Sequence, residues 1–196
     1  MLEFLLVAIT GAIFAFGANR VSPLGLVLAR DYFPAGTGRL APATPLAGTN
    51  SMTPDAAQLL AAELKEKGLQ LADGHQAVQL FHDPRCQHNL VVFIDARDEP
   101  HYREGHIPGA YEFDPYRPEK YFATVLPVCR AAEQIVVYCN GGDCDDSETA
   151  AVLLRDVRIP NQKLLVYGGG ITEWTADGLP VETGGRNSGN LRNSAK

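Results

Sequence analysis

Three short stretches of the chain are apolar without interruption: Leu90-Val91-Val92-Phe93-Ile94, Ile135-Val136-Val137-Tyr138 and Leu164-Leu165-Val166-Tyr167. A strand with one wet face alternates apolar and polar residues. An unbroken run of β-branched and aromatic residues reads instead as a strand buried on both faces. Around these runs the spacing becomes helical. Ala77, Val78 and Phe81 fall on one side of a helix over Asp73 to His82, and Thr149 opens a helix that reaches Val157. Glu99 to Glu104 and Ile171 to Ala176 read as short helices. Tyr116 to Ala132 reads as a helix interrupted by Pro118 and Pro127. Leu69 to Leu71 reads as a short strand and Leu179 to Val181 as extended. Strands and helices alternate from Leu69 onward, which predicts an α/β domain with a mainly parallel sheet and helices on both faces.

The first third of the chain has a different texture. Phe4 to Ala18 carries no charged side chain over 15 positions, against the ~20 that span a bilayer. A signal peptide needs a positive start, and the early charge here is the acid Glu3. A core helix would fit the length, but the run stands far from the other apolar segments. Residues 4–18 are therefore expected to be a membrane anchor. Arg20 and Arg30 after the run place the bulk of the chain on the cytoplasmic side. Ala8, Gly11, Ala12 and Ala15 form a small-residue stripe through which two anchors can pair as a homodimer. Ala35 to Ser51 is rich in Gly, Pro, Thr and Ala and reads as a linker. Thr53-Pro54-Asp55 then starts a helix that ends near Gly68. The expected organisation is an anchor and juxtamembrane segment over 1–34, a linker and short helix over 35–68, the α/β domain over 69–182, and a polar, disordered tail over 183–196.

Composition narrows the function. A net charge of −6 argues against nucleic acid, which wants a basic face. Four cysteines without a CxxC pair do not make a disulfide scaffold, and the single Cys86/His88 pair lacks the second pair a zinc site needs. No cofactor is implied.

The chemistry concentrates after the second buried run, in Tyr138-Cys139-Asn140-Gly141-Gly142-Asp143-Cys144-Asp145-Asp146-Ser147. A buried parallel strand stops at a cysteine, turns through two glycines and enters a helix. That is the usual place for ligand chemistry in an α/β sheet. Backbone N–H groups of such a loop favour a thiolate, so Cys139 reads as a nucleophile, with a buried structural cysteine as the alternative. Asp146 or Ser147 can cap the helix, and Asp145 with Glu148 has capping-box spacing.

Together these segments resemble a single rhodanese domain. Asp95-Ala96-Arg97, Tyr102 and Gly105-His106-Ile107-Pro108-Gly109-Ala110 are similar to the upstream signature of that family. Val136-Val137-Tyr138-Cys139 is similar to its active-site strand, and Gly168-Gly169, Trp174 and Gly178-Leu179-Pro180-Val181 to its C-terminal signature. The resemblance covers about Leu69 to Glu182 and implies sulfur transfer. Cys139 would take sulfur from a sulfane-sulfur donor, hold it as a persulfide in the loop Asn140 to Asp145, and pass it to a thiol or protein acceptor. Rhodanese-like loops commonly resemble C-x-x-G-x-R. Here Gly142 matches the glycine and Cys144 stands in place of the arginine, which weakens recognition of a dianionic donor.

Two readings of Cys144 stay open: a resolving thiol for Cys139, or a small residue filling the place of the arginine. A thiol redox protein cycling a Cys139–Cys144 disulfide and a non-catalytic protein-binding module are the alternatives to sulfur transfer. Asp95, Arg97 and His106 are supporting candidates. The first two either touch substrate or tie a strand end to its neighbours, and His106 either works as an acid or base or holds the Gly-His-Ile-Pro-Gly turn. Trp174 reads as packing beneath the active loop.

Overall fold

The computed structural model describes residues 54–193. The apolar run 4–18 and the linker over 35–51 lie outside the described residues. Among the described residues no helix is long and apolar enough to cross a membrane.

The elements follow in the order α1 (Pro54–Glu66), β1 (Gln70–Ala72), α2 (Gly74–Phe81), β2 (Val91–Asp95), α3 (Glu99–Glu104), β3 (Tyr111–Glu112), α4 (Phe122–Ala131), β4 (Gln134–Tyr138), α5 (Asp146–Asp156), β5 (Leu164–Tyr167), α6 (Gly170–Ala176), β6 (Pro180–Glu182) and β7 (Leu191–Asn193). Strands β1 to β5 form one sheet in the order β1-β5-β4-β2-β3, and every pairing in it is parallel. The three apolar runs are its three inner strands. Their period of two sends alternate side chains to opposite faces. Val92, Ile94, Ile135, Val137, Leu164 and Val166 meet Leu64 of α1, Val125 and Cys129 of α4, and Ala150, Ala151 and Leu154 of α5. Val91, Phe93, Val136, Tyr138, Leu165 and Tyr167 meet Ala77 and Leu80 of α2 and Ile171 and Trp174 of α6. The domain therefore has three layers, with helices on both faces of the sheet.

Trp174 is fully buried, and its indole N–H donates to the Pro180 carbonyl at 2.8 Å. Its ring meets the edge of Phe81, with centroids 5.1 Å apart. That contact lies in the layer opposite the face of Cys139, so Trp174 packs α6 to α2.

Three expectations change. Helix α1, read as part of a linker segment, sinks Leu64 into the core, and Lys67 beyond its end contacts Glu148 of α5. The segment from Tyr116 to Ala132 divides into a 3₁₀ turn that Pro118 opens (Pro118–Lys120) and α4, which runs on through Pro127 instead of being interrupted there. The tail read as disordered is folded through Asn193. Strand β7 pairs antiparallel with β6, and the Glu182 carboxylate gathers the N–H groups of Gly109 (3.0 Å) and Gly189 (3.2 Å). Arg186 stacks on Tyr111 at 3.7 Å and donates to the Gly109 carbonyl. A polar segment gains order here from charge-assisted and backbone hydrogen bonds rather than from apolar burial.

Candidate active site

Strand β4 lies at the centre of the sheet; the chain steps outward from β2 to β3 on one side and from β4 to β5 on the other. The carboxyl ends of β2 and β4 lie side by side at this reversal, with Asp95 opposite Tyr138 and the Ala96 N–H on the Tyr138 carbonyl at 2.8 Å. Crevices of this kind are where open α/β sheets hold ligands. Cys139 is the next residue along β4 and is 1% exposed.

The loop after Cys139 is held from the other side by the start of α6. Ile171 donates its N–H to the Cys139 carbonyl at 2.9 Å, and Thr172 donates to the Asn140 carbonyl at 3.2 Å. Gly141 adopts φ +89°, and a Cβ there would stand 2.0 Å from the Gly169 carbonyl oxygen. Gly142, at φ +65°, has open space around it, so its backbone conformation alone favours glycine. Asn140, Asp143 and Asp145 are exposed, whereas Cys144 is half-buried.

This turn folds Cys144 back onto Cys139. Their Cα atoms are 6.6 Å apart and their sulfurs are joined as a disulfide. The Cys139 sulfur also lies 3.3 Å from the Cys144 carbonyl oxygen and 3.5 Å from the buried Ser147 hydroxyl. Among the described residues no backbone N–H donates a hydrogen bond to this sulfur. The expected ring of N–H donors is thus replaced here by a covalent sulfur partner, which carries no charge to attract them. The Cys144 sulfur in turn lies 3.6 Å from Oδ2 of Asp146.

The expected helix caps are also absent. Asp145 occupies the N-cap of α5 without a side-chain hydrogen bond, and Glu148 turns to Lys67. Asp146 accepts from the Tyr116 hydroxyl at 2.8 Å. Burial raises the Asp146 carboxyl above its ordinary value. The Tyr116 bond opposes that shift, and the negative charges of Asp145, Asp114 and Asp98 add to it.

Asp95 and Arg97 are tied to each other. The buried guanidinium grips both Asp95 oxygens, at 2.9 and 2.6 Å, and extends to the Gly105 carbonyl at 2.7 Å. The Tyr138 hydroxyl stands beside this pair and accepts the Ile107 N–H at 2.9 Å. Burial pushes the Tyr138 phenol well above its ordinary value, so it works as a neutral hydrogen-bonding group. His106 is fully buried, stacked on Tyr102 with ring centroids 3.9 Å apart, and its two nitrogens face the Tyr102 carbonyl and the Glu182 carboxylate. Asp95, Arg97, Tyr138 and His106 thereby fix the Gly105–Ala110 turn beside the site.

From the sequence Tyr138 reads as strand, and Asp146 and Ser147 as candidate caps. The period of two already placed Tyr138 on the face opposite Cys139. Nothing local marks Asp146 and Ser147 as neighbours of the sulfurs.

Burial pushes the thiols of Cys86 and Cys129 up, to about 11 and about 12, so neither competes as a thiolate near neutral pH. Two openings flank the loop. One, of about 350 Å³, is lined by Leu59, Leu60, Gly142, Asp143, Cys144 and Ser147 among others. The other, of about 280 Å³, is lined by Arg97, His101, Tyr116, Arg117, Asn140 and Asp146 among others.

A three-layer α/β domain with a cysteine at the carboxyl end of its central strand, where the strand order reverses, presents that residue where open α/β sheets hold ligands. More narrowly, the rhodanese-like domain family matches residues 73–177, and the chain belongs to that family. Over 94 residues the chain is 33% identical to the HTH-type transcriptional regulator Rv0324 of Mycobacterium tuberculosis, a stretch covering 48% of this chain and 38% of that protein. Among solved structures it is similar to the rhodanese-like domain of the Anabaena Alr3790 protein, at 24% identity and a TM-score of 0.42, covering 58% of this chain and 78% of that one. It is also similar to a thiosulfate sulfurtransferase from Pseudomonas aeruginosa, at 25% identity and a TM-score of 0.41, covering 53% of this chain and 19% of that one.

Proposed function

We propose that this domain is a sulfurtransferase that carries sulfur on Cys139. The observation behind the reading is the position of Cys139, at the carboxyl end of the central strand where two loops and a buried hydroxyl converge. In the dithiol state the Cys139 thiolate attacks the outer sulfur of a donor persulfide. It displaces the donor as a thiolate and becomes Cys139–S–SH. An acceptor thiolate then takes that outer sulfur and restores the Cys139 thiolate. The Ser147 hydroxyl, 3.5 Å from Sγ, is placed to donate to the thiolate in both steps.

Donor and acceptor are a low-charge persulfide and a thiol, free or on a protein. The uncharged run 4–18 is proposed, on sequence grounds, to attach this activity to the cytoplasmic face of a membrane. Deletion of residues 1–51 should then release the protein from the membrane fraction.

The disulfide supports a second reading, a thiol redox protein that cycles Cys139 and Cys144. Mass spectrometry of reduced protein after exposure to cysteine persulfide separates the two. Sulfur transfer expects one added sulfur on Cys139 and loss of transfer in Cys139→Ser. Full transfer by Cys139→Ser overturns the first reading, and a disulfide formed without any sulfur turnover favours the second.

A further inference from the structure

The disulfide partner of Cys139 has its own potential proton acceptor. Cys144 Sγ lies 3.6 Å from Asp146 Oδ2, and its loop brings it to Cys139 with Cα atoms 6.6 Å apart. A thiol with a carboxylate at hand and a buried cysteine in bonding reach is arranged to attack that cysteine. Such an attack would form a Cys139–Cys144 bond, the pairing the loop holds.

We propose that Cys144 resolves the Cys139 persulfide and releases its sulfur as hydrogensulfide, with Asp146 taking the Cys144 proton. The inference rests on Cys139 carrying a persulfide. The Cys144 S–H bond breaks and its proton goes to Asp146. The Cys144 thiolate then attacks Cys139 Sγ, a Cys139–Cys144 S–S bond forms, and the Cys139–S–SH bond breaks with its electron pair leaving on the outer sulfur as HS⁻. The persulfide's sulfane sulfur is thereby reduced to sulfide at the expense of the Cys144 thiol.

An external dithiol returns the enzyme to its starting state. One of its thiolates attacks Cys144 Sγ and Cys139 leaves as a thiolate; the second thiol, deprotonated, then attacks the dithiol's own sulfur in the mixed disulfide, Cys144 leaves as a thiolate, and the dithiol closes into its own disulfide. The attack falls on Cys144 because that residue is half-buried and lines the opening formed by Leu59, Leu60 and Gly142, whereas Cys139 is shut in at 1% exposure. Access decides which sulfur of a disulfide is attacked.

Asp146 suits its role. Burial raises its carboxyl above the ordinary range, which makes it a stronger base than a free aspartate. The groups facing it are Asp145 on its own loop, Tyr116, Asp114 and Asp98 from neighbouring loops, and Arg97, His101 and Arg117, which line the same opening.

The test uses the full chain, reduced and freed of thiol under anaerobic conditions, then given one equivalent of cysteine persulfide. Wild type should release about one sulfide per chain without added thiol and yield the 139–144 disulfide on peptide mapping. Cys144→Ser and Cys144→Ala should keep the added sulfur on Cys139 and release sulfide only when dithiothreitol is supplied. Asp146→Asn should slow release roughly tenfold at pH 6.5, with the gap closing above about pH 9 as the thiol ionises unaided. A persulfide that survives as long in wild type as in Cys144→Ser overturns this inference and leaves Cys139 as carrier. If no variant gains sulfur on Cys139, the carrier reading falls and takes this inference with it. A pH-independent Asp146→Asn effect removes Asp146 as the proton acceptor.

Discussion

A Cβ on Gly170 would stand 2.4 Å from the backbone nitrogen of Gly141 and 2.5 Å from the carbonyl oxygen of Cys139. The two loops at the carboxyl ends of β4 and β5 thus touch backbone to backbone, and the contact sets the path of the cysteine loop. Gly141→Ala and Gly170→Ala are each expected to cost about 2–4 kcal/mol, since a positive φ and a backbone clash act together. Gly142→Ala meets only the backbone penalty, about 1 kcal/mol. Urea denaturation of the three variants should give this order.

The Asp95–Arg97 pair is expected to act on stability. Asp95→Ala strands a buried guanidinium and should cost about 3–5 kcal/mol. Tyr138→Phe leaves the Ile107 N–H without its acceptor and should cost about 1–3 kcal/mol. In Tyr138→Phe the persulfide on Cys139 should still form. Loss of sulfur loading in a folded Tyr138→Phe protein would instead give this hydroxyl a part in the chemistry.

Truncation after Thr183 should be costly although the removed segment is polar. It takes away the Gly189 N–H from Glu182 and the Arg186 stack from Tyr111. Burial raises the Glu182 carboxyl, but hydrogen bonds from Gly109, Gly189 and Asn187 outweigh it and hold the group below its ordinary value of 4.5. A depressed carboxylate stabilises the fold above that ordinary value, and the contribution fades as the pH falls through the folded-state value. Thermal melts of wild type and Glu182→Gln should therefore differ at pH 7 and converge as the pH drops well below 4.5.

Oxidation should stabilise the domain. Closing the short loop between Cys139 and Cys144 restricts the unfolded chain by about 2 kcal/mol. Wild type should melt higher oxidised than reduced, and Cys144→Ser should show no such difference. Equal melting of the two wild-type forms would mean that the closed loop holds compensating strain.

Thiosulfate should be a poor donor. Cys144 stands where rhodanese-like loops commonly carry arginine, and Asp143, Asp145 and Asp146 flank it in the sequence. A differential repulsion of only ~1.4 kcal/mol is tenfold in rate. The kcat/KM for thiosulfate should fall at least about tenfold below that for cysteine persulfide, and added salt should narrow the gap. Efficient, salt-insensitive use of thiosulfate would point to a basic group outside the loop, with Arg117 beside Asn140 the first to replace.

The sequence by itself determined the layered α/β fold and the strand-loop-helix frame around Cys139. Those features rest on local signals: unbroken apolar runs for strands buried on both faces, helical spacing between them, and a glycine pair where the backbone must turn. Tertiary structure alone decided which distant side chains stand near the cysteine loop and which polar segments are ordered. The acids around Asp146 come from Asp98 and Asp114, and the Glu182 carboxylate serves N–H groups of Gly109 and Gly189. Much of this is set by residues distant in the chain, as is the meeting of Gly141 with Gly169 and Gly170. Periodicity and turn chemistry act over a few residues, so they place a cysteine at the end of a strand. Which side chains then approach it depends on how the sheet orders its strands.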